Sequence, residues 1–140
     1  MWTEPLTTRA ADLSPHEFLV AVVDGDARIV ASVRCAINRA AHHGMFGEMA
    51  IDRDDGAPRQ TMRALALLTR AALQYAADLG IQIVETELPD ERLAAFAAQL
   101  TGQEPDRSRG GRPYFRGELH AIRSRTLEET DADGNLRQRR

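Results

Sequence analysis

Residues 49–84 read MAIDRDDGAPRQTMRALALLTRAALQYAADLGIQIV, and the fold follows from how this stretch divides. Met49-Ala50-Ile51 runs out of an apolar strand into the acidic turn Asp52-Arg53-Asp54-Asp55-Gly56. Pro58 suits the first turn of a helix, where its missing N–H costs nothing and its fixed φ is already helical. Asp54 or Asp55 is the expected N-cap, because a short carboxylate can accept hydrogen bonds from the first free N–H groups. Met62, Leu65, Leu68/Thr69, Ala72, Ala76 and Leu79 then recur at helical spacing, with Arg59, Arg63, Arg70 and Gln74 mostly between them. Gly80 ends the run as a left-handed C′ residue, and Ile81-Gln82-Ile83-Val84 begins another strand. Strand, turn, helix and strand in this order make a βαβ unit, whose two strands are normally parallel neighbours.

Upstream, Phe18–Val23 is a compact β run ended by Asp24-Gly25-Asp26, a hairpin signal. The chain returns over Arg28–Asn38, where Ile29, Ala31, Val33, Cys35 and Ile37 alternate with the other face as in a half-buried antiparallel strand. Arg39–Gly44 reads as a turn and Met45–Ile51 as a third strand, in which Gly47 marks a bulge or a close backbone approach. Downstream, the strand Ile81–Leu88 closes at Pro89, and Asp90 caps a helix from Glu91 to about Thr101 that Gly102 ends. Glu104–Pro113 is a polar loop, and Tyr114–Ile122 is the last strand. Residues 1–17 show no periodicity and are expected to be an arm, with Asp12 or Ser14 capping at most a short helical turn. Residues 123–140 are charged, poor in apolar side chains and expected to be a tail carrying an Asp133-Gly134-Asn135 turn. The fold class is therefore α+β: antiparallel strands first, a parallel crossover in the middle, and two main helices.

A chain of 140 residues, 43% hydrophobic, is one folded domain with a working core. Its net charge of −3, with 18 basic residues that are all arginine, supplies no global field for nucleic acid. The single cysteine, Cys35, excludes an intramolecular disulfide and reads as a small core residue. No apolar run is long enough to span a bilayer and no leader pattern opens the chain, so a soluble protein, cytoplasmic at synthesis, is expected.

The order of elements from Phe18 to Ile122 resembles the GCN5-related N-acetyltransferases (GNAT). The resemblance is strongest at LLTRAALQYAADLGIQIVETEL, similar to the central helix and following strand of that family, and at ERLAAFAAQLTGQEP, similar to its late helix. It implies a mixed GNAT-like sheet whose N-terminal part, normally a strand and two helices, is shortened on the acceptor side. Family members hold the acetyl-CoA pyrophosphate on the turn before the central helix with a Gln/Arg-x-x-Gly-x-Gly/Ala signature, since bare N–H groups and the helix dipole favour an anion there. The matching residues are Arg59-Gln60-Thr61-Met62-Arg63-Ala64, following Ile51. Arg59 and Ala64 fit, Met62 stands in place of the first glycine, and Asp52, Asp54 and Asp55 add negative charge, so the signature reads as eroded. The tyrosine that often serves the family as acid is replaced by Ala97. Glu48 and Glu85 are the strand carboxylates available as a base, which would need a pKa raised by burial.

Other constellations are thinner. His42-His43 lie on a turn with no second ligand pair, so no metal is expected. Arg107, Arg109 and Arg112, with Tyr114, form a local basic–aromatic cluster suited to a phosphate or an acidic partner. Two function classes carry most weight. The main expectation is a non-catalytic GNAT-fold protein without cofactor, a structural or assembly component resembling small GNAT-like proteins of tailed-phage virions, with protein partners or copies of itself. The alternative is an acetyl-CoA-dependent N-acetyltransferase on an unidentified amine. An interaction domain of chance resemblance is the third.

Overall fold

The computed structural model describes residues 1–52, 56–107 and 110–137. In chain order the elements are β1 (Thr7–Ser14), β2 (Glu17–Val23), β3 (Ile29–Asn38), β4 (His43–Ile51), α1 (Pro58–Asp78), β5 (Ile83–Glu87), α2 (Glu91–Thr101), β6 (Tyr114–Glu118) and α3 (Leu119–Glu129). The six strands form one sheet in the order β1-β2-β3-β4-β5-β6. Every neighbouring pair is antiparallel except β4 and β5, which are parallel across α1. The expected βαβ unit and the α+β class are both present.

One face of the sheet carries the core. Phe18, Val20 and Val22 on β2 stand opposite Cys35, Val33 and Ala31 on β3, and Phe46 and Val84 continue the face across β4 and β5. Ala64, Leu67, Leu68, Ala72 and Ala76 of α1 pack onto this layer, and Leu119 and Ile122 of α3 complete it. A second cluster joins Leu65, Leu88, Leu93, Ala94 and Phe115 under α2. Complete burial of side chains of this size stabilises by about 1.5–3 kcal/mol each, which is why the apolar stripes dictate the packing. The buried face of α1 is wider than the expected stripe, and Met62, expected in it, is 42% exposed.

The helix ends are set locally. Pro58 occupies the first position of α1. The expected cap at Asp54 or Asp55 falls outside the described residues; Ala57 is the N-cap, and its N–H donates to the Gln60 side chain at 3.2 Å. At the other end Gly80 has φ +79°, Gly80 N donates to Ala77 O (3.0 Å) and Ile81 N to Ala76 O (3.1 Å), a Schellman motif. Asp90 caps α2 by accepting from Leu93 N at 2.9 Å, and Gly102 closes it at φ +70°.

Two expectations about the ends of the chain are corrected. Residues 7–14 are not part of an arm with a helical turn but an edge strand, joined to β2 by a short turn at Ser14–Glu17. All eight of its side chains are exposed, so backbone pairing holds it rather than an apolar face. The usual first strand of the fold is therefore present, and the segment between it and β2 holds no helix. Residues 119–129 form a helix where a strand ending and a tail were expected. Its buried side includes Thr126, Glu129 and the following Thr130; the two threonines satisfy their hydroxyls by donating to Ile122 O (2.9 Å) and Thr126 O (2.7 Å). The expected turn forms at Asp131–Asn135, with Gly134 at φ +83° and Asp131 accepting from Asp133 N and Asn135 N.

Candidate active site at the β4–β5 fork

The parallel ladder pairs His43–Phe46 with Ile83–Thr86 and goes no further. A bulge explains why. β3 residues Ser32 and Arg34 face Ala50 and Gly47, so Glu48 and Met49 together oppose Val33. The expected bulge is there, but the left-handed backbone falls on Glu48 (φ +51°), not on Gly47. The bulge bends β4 away from β5, and the Thr86 hydroxyl donates to Phe46 O (2.9 Å) at the last point of contact.

Inside this fork lies an apolar cavity of about 110 Å³. Phe46 and Met49 of β4, Thr86 and Leu88 at β5, Leu68, Thr69 and Ala72 of α1, Ala97 and Thr101 of α2, and Phe115 of β6 form its wall. Ala97, the position matching the family's acid, thus borders the space where a reacting group would sit, and its methyl carries no proton to give.

On the opposite, uncovered face of the sheet, His43 Nε2 and Glu85 Oε2 lie 2.7 Å apart. Arg116 Nε is 4.0 Å from the same oxygen. The Glu85 side chain is 14% exposed. Burial pushes its carboxyl up, but the bond from His43, the Tyr114 hydroxyl and the charges of His43 and Arg116 outweigh burial and hold it below the ordinary value. The raised pKa expected of a base is therefore absent at Glu85. Glu48 fits no better: its side chain is 74% exposed and 3.6 Å from Arg34. Sequence reasoning missed His43 as the partner of Glu85, because the contact spans 42 positions and no local pattern carries it.

The expected pyrophosphate residues stand together at the start of α1, where several of them bond within the chain. Gln60, 7% exposed, accepts from Trp2 N (3.1 Å) and donates to Trp2 O (2.8 Å). Arg63 pairs with Glu4 at 2.6 Å and donates to Asp133 O at 3.2 Å. Thr61 donates its hydroxyl to Ala57 O, Ala64 is fully buried, Ile51 is half-buried against both core clusters, and Arg59 is exposed. Trp2, itself 3% exposed, lies over Gly56, where an added Cβ would stand 2.5 Å from the indole.

The segment of the basic–aromatic cluster is closed by a backbone bridge between Asp106 and Tyr114. Arg107 pairs with Glu91 at the start of α2 (2.6 Å), Tyr114 is buried toward Glu85, Arg112 is exposed, and Arg109 lies outside the described residues. Cys35 is buried, and burial pushes its thiol up to about 12, which leaves it an inert core group. Among the described residues no three His, Cys, Asp or Glu side chains converge as metal ligands, and no helix is long and apolar enough to cross a membrane.

A mixed sheet with one parallel pair forked by a bulge, crossed by a helix between the forked strands, defines a GNAT-like fold. No protein-family model and no curated protein sequence matches this chain. Solved structures do. Spermidine/spermine N-acetyltransferase SpeG from Vibrio cholerae superposes with a TM-score of 0.63 at 14% identity, over 86% of this chain and 96% of that one. Aminoglycoside 6'-acetyltransferase type Ii gives 0.58 at 13% identity, over 76% and 71%. Tetrahymena GCN5 gives 0.56 at 9% identity, over 77% and 71%. These neighbours correct the expectation of a non-catalytic structural or virion component: the solved structures that share this fold are named as acetyltransferases.

Proposed function

We propose that this chain is an N-acetyltransferase that takes an acetyl group from a coenzyme A thioester to a primary amine. The fork cavity carries the reading. It is apolar, it lies between two parallel strands that have just separated, and it is the size of a small acyl thioester end. Beyond Phe46 the β5 side of β4 has no ladder partner, so an extended amide-bearing arm can add to that strand edge as a further strand would. In the reaction the amine nitrogen bonds to the thioester carbonyl carbon, the C–S bond breaks, and sulfur leaves with the electron pair to be protonated by water. The proton lost by the amine is carried by water to the His43–Glu85 pair on the uncovered face beside the fork, where Glu85 holds the imidazole by its bond to Nε2. Positioning of the two reactants supplies most of the acceleration in a site without a side-chain acid.

The test is thiol release from acetyl-CoA by the purified chain over a panel of primary amines, with Ala97→Leu alongside. Amine-dependent release that falls about ten-fold or more when leucine fills the cavity is expected, a loss of at least about 1.4 kcal/mol of transition-state stabilisation. Absence of both acetyl-CoA binding and thiol release with every amine overturns the reading.

A further inference from the structure

We infer that the acyl donor is recognised here through its acyl-pantetheine end alone, the nucleotide half of a coenzyme A thioester being left ungripped. The inference rests on the acyltransferase reading and refines which part of the donor the site selects.

The first turn of α1 is where free N–H groups and the helix dipole would draw a diphosphate. Among the described residues the Gln60 and Arg63 side chains at that turn are engaged by the chain's own N-terminal segment. Trp2 is held by Gln60 through both its N–H and its carbonyl, and its ring leaves no room beside Gly56. Glu4 places a carboxylate on Arg63 at 2.6 Å and within 3.5 Å of Gln60 Nε2. The negative charge that this helix start can use is thus supplied internally, and a diphosphate arriving there would compete for Arg63 and meet the Glu4 charge. Trp2 also belongs to the main core cluster, so displacing the segment would expose a large aromatic that is now buried.

The fork differs. Its cavity is open and largely apolar, with Glu85 and Arg116 the charged residues on its lining. A pantetheine arm is neutral and carries two amides, which suits a strand edge leading to an apolar hole. A thioester presented on phosphopantetheine, whatever its far end carries, satisfies these demands as well as acetyl-CoA does.

Trp2 is the single tryptophan, so its emission reports whether the N-terminal segment stays in place. The experiment titrates the full chain with S-acetylpantetheine, acetyl-CoA and adenosine 3′,5′-bisphosphate, following heat and Trp2 emission together. Binding of the two thioesters within about three-fold of each other, no binding of the bisphosphate, and unchanged emission are expected. A preference of about 30-fold or more for acetyl-CoA, or a red shift of Trp2 on its binding, overturns the inference while leaving the acyltransferase reading standing. Absence of binding by either thioester overturns both. Glu4→Gln provides the second arm: freeing Arg63 should create a preference for acetyl-CoA of about three- to ten-fold that the natural chain lacks. An unchanged ratio in a folded variant counts against Glu4 as the occupant.

Discussion

The two ends of the cleft beside α1 have opposite fates. At the fork, the bulge at Glu48 separates β4 from β5 and leaves an apolar cavity of about 110 Å³ unfilled. At the start of α1, the equivalent space is closed by Trp2, Gln60 and Glu4, with every bond internal to the chain. The difference is one of chemistry as well as occupancy. The closed end is the polar end, where unsatisfied N–H groups at a helix start need partners and a carboxylate finds an arginine. The open end is lined mostly by methyl and phenyl groups and by three threonines whose hydroxyls already bond to carbonyls, with Gln103, Glu85 and Arg116 beside them. Closing the first end stabilises the fold; the second stays open.

The comparison can be broken most severely at Trp2. Trp2→Ala removes the largest side chain of the closed end from the core, and a loss of about 3–5 kcal/mol is expected, read as a fall in the urea or thermal midpoint. A loss under about 1 kcal/mol would mean that the N-terminal segment is only draped over α1.

A smaller effect is expected at Glu85, beside the open end. Its carboxyl titrates below the ordinary value in the folded chain, so it contributes stability at pH above the unfolded carboxyl range of about 4.3. That contribution disappears as pH falls through the folded value. Glu85→Gln should therefore be less stable than the natural chain at neutral pH, and the gap should narrow on acidification. A gap that is constant from pH 7 to about pH 3 would show that the bond to His43 does not distinguish the ionised form.

The smallest effect is expected at Glu48, on the bulge that makes the fork. Its side chain is largely in solvent and its partner Arg34 is half exposed. Glu48→Gln should change stability by less than about 0.5 kcal/mol and leave thioester binding unaltered. A ten-fold loss of turnover in this variant would instead return Glu48 to the place of base, ahead of the His43–Glu85 pair.

Much of the architecture was legible because it is written locally. The Pro58 start, the Gly80 stop and the Asp90 and Gly102 caps each depend on residues within about one turn of one another, and each appears at its position. Strands β2 to β5 alternate against a covered face, so their period shows. The two misread ends lack that signal for different reasons. β1 is an edge strand with no buried side chain in its span, held by its backbone ladder and by Asp12, which accepts from the Tyr75 hydroxyl. α3 is buried partly through Thr126 and Glu129, followed by Thr130, and a polar inner face gives no hydrophobic periodicity even though its spacing is helical.

The sequence by itself determined the α+β class, the parallel crossover, and the Pro58 start and Gly80 stop of the central helix. Only the tertiary structure decided what Gln60, Arg63 and Glu85 do. Gln60 and Arg63 became the anchors of Trp2 and Glu4, partners 58 and 59 positions away, and Glu85 became the partner of His43, 42 positions away. Turn chemistry and helical or strand period act between neighbours in the chain, so they can be read from order alone. Charge pairing, cavity formation and the filling of a helix start act between neighbours in space, and those exist only once the sheet has brought the ends of the chain to the centre.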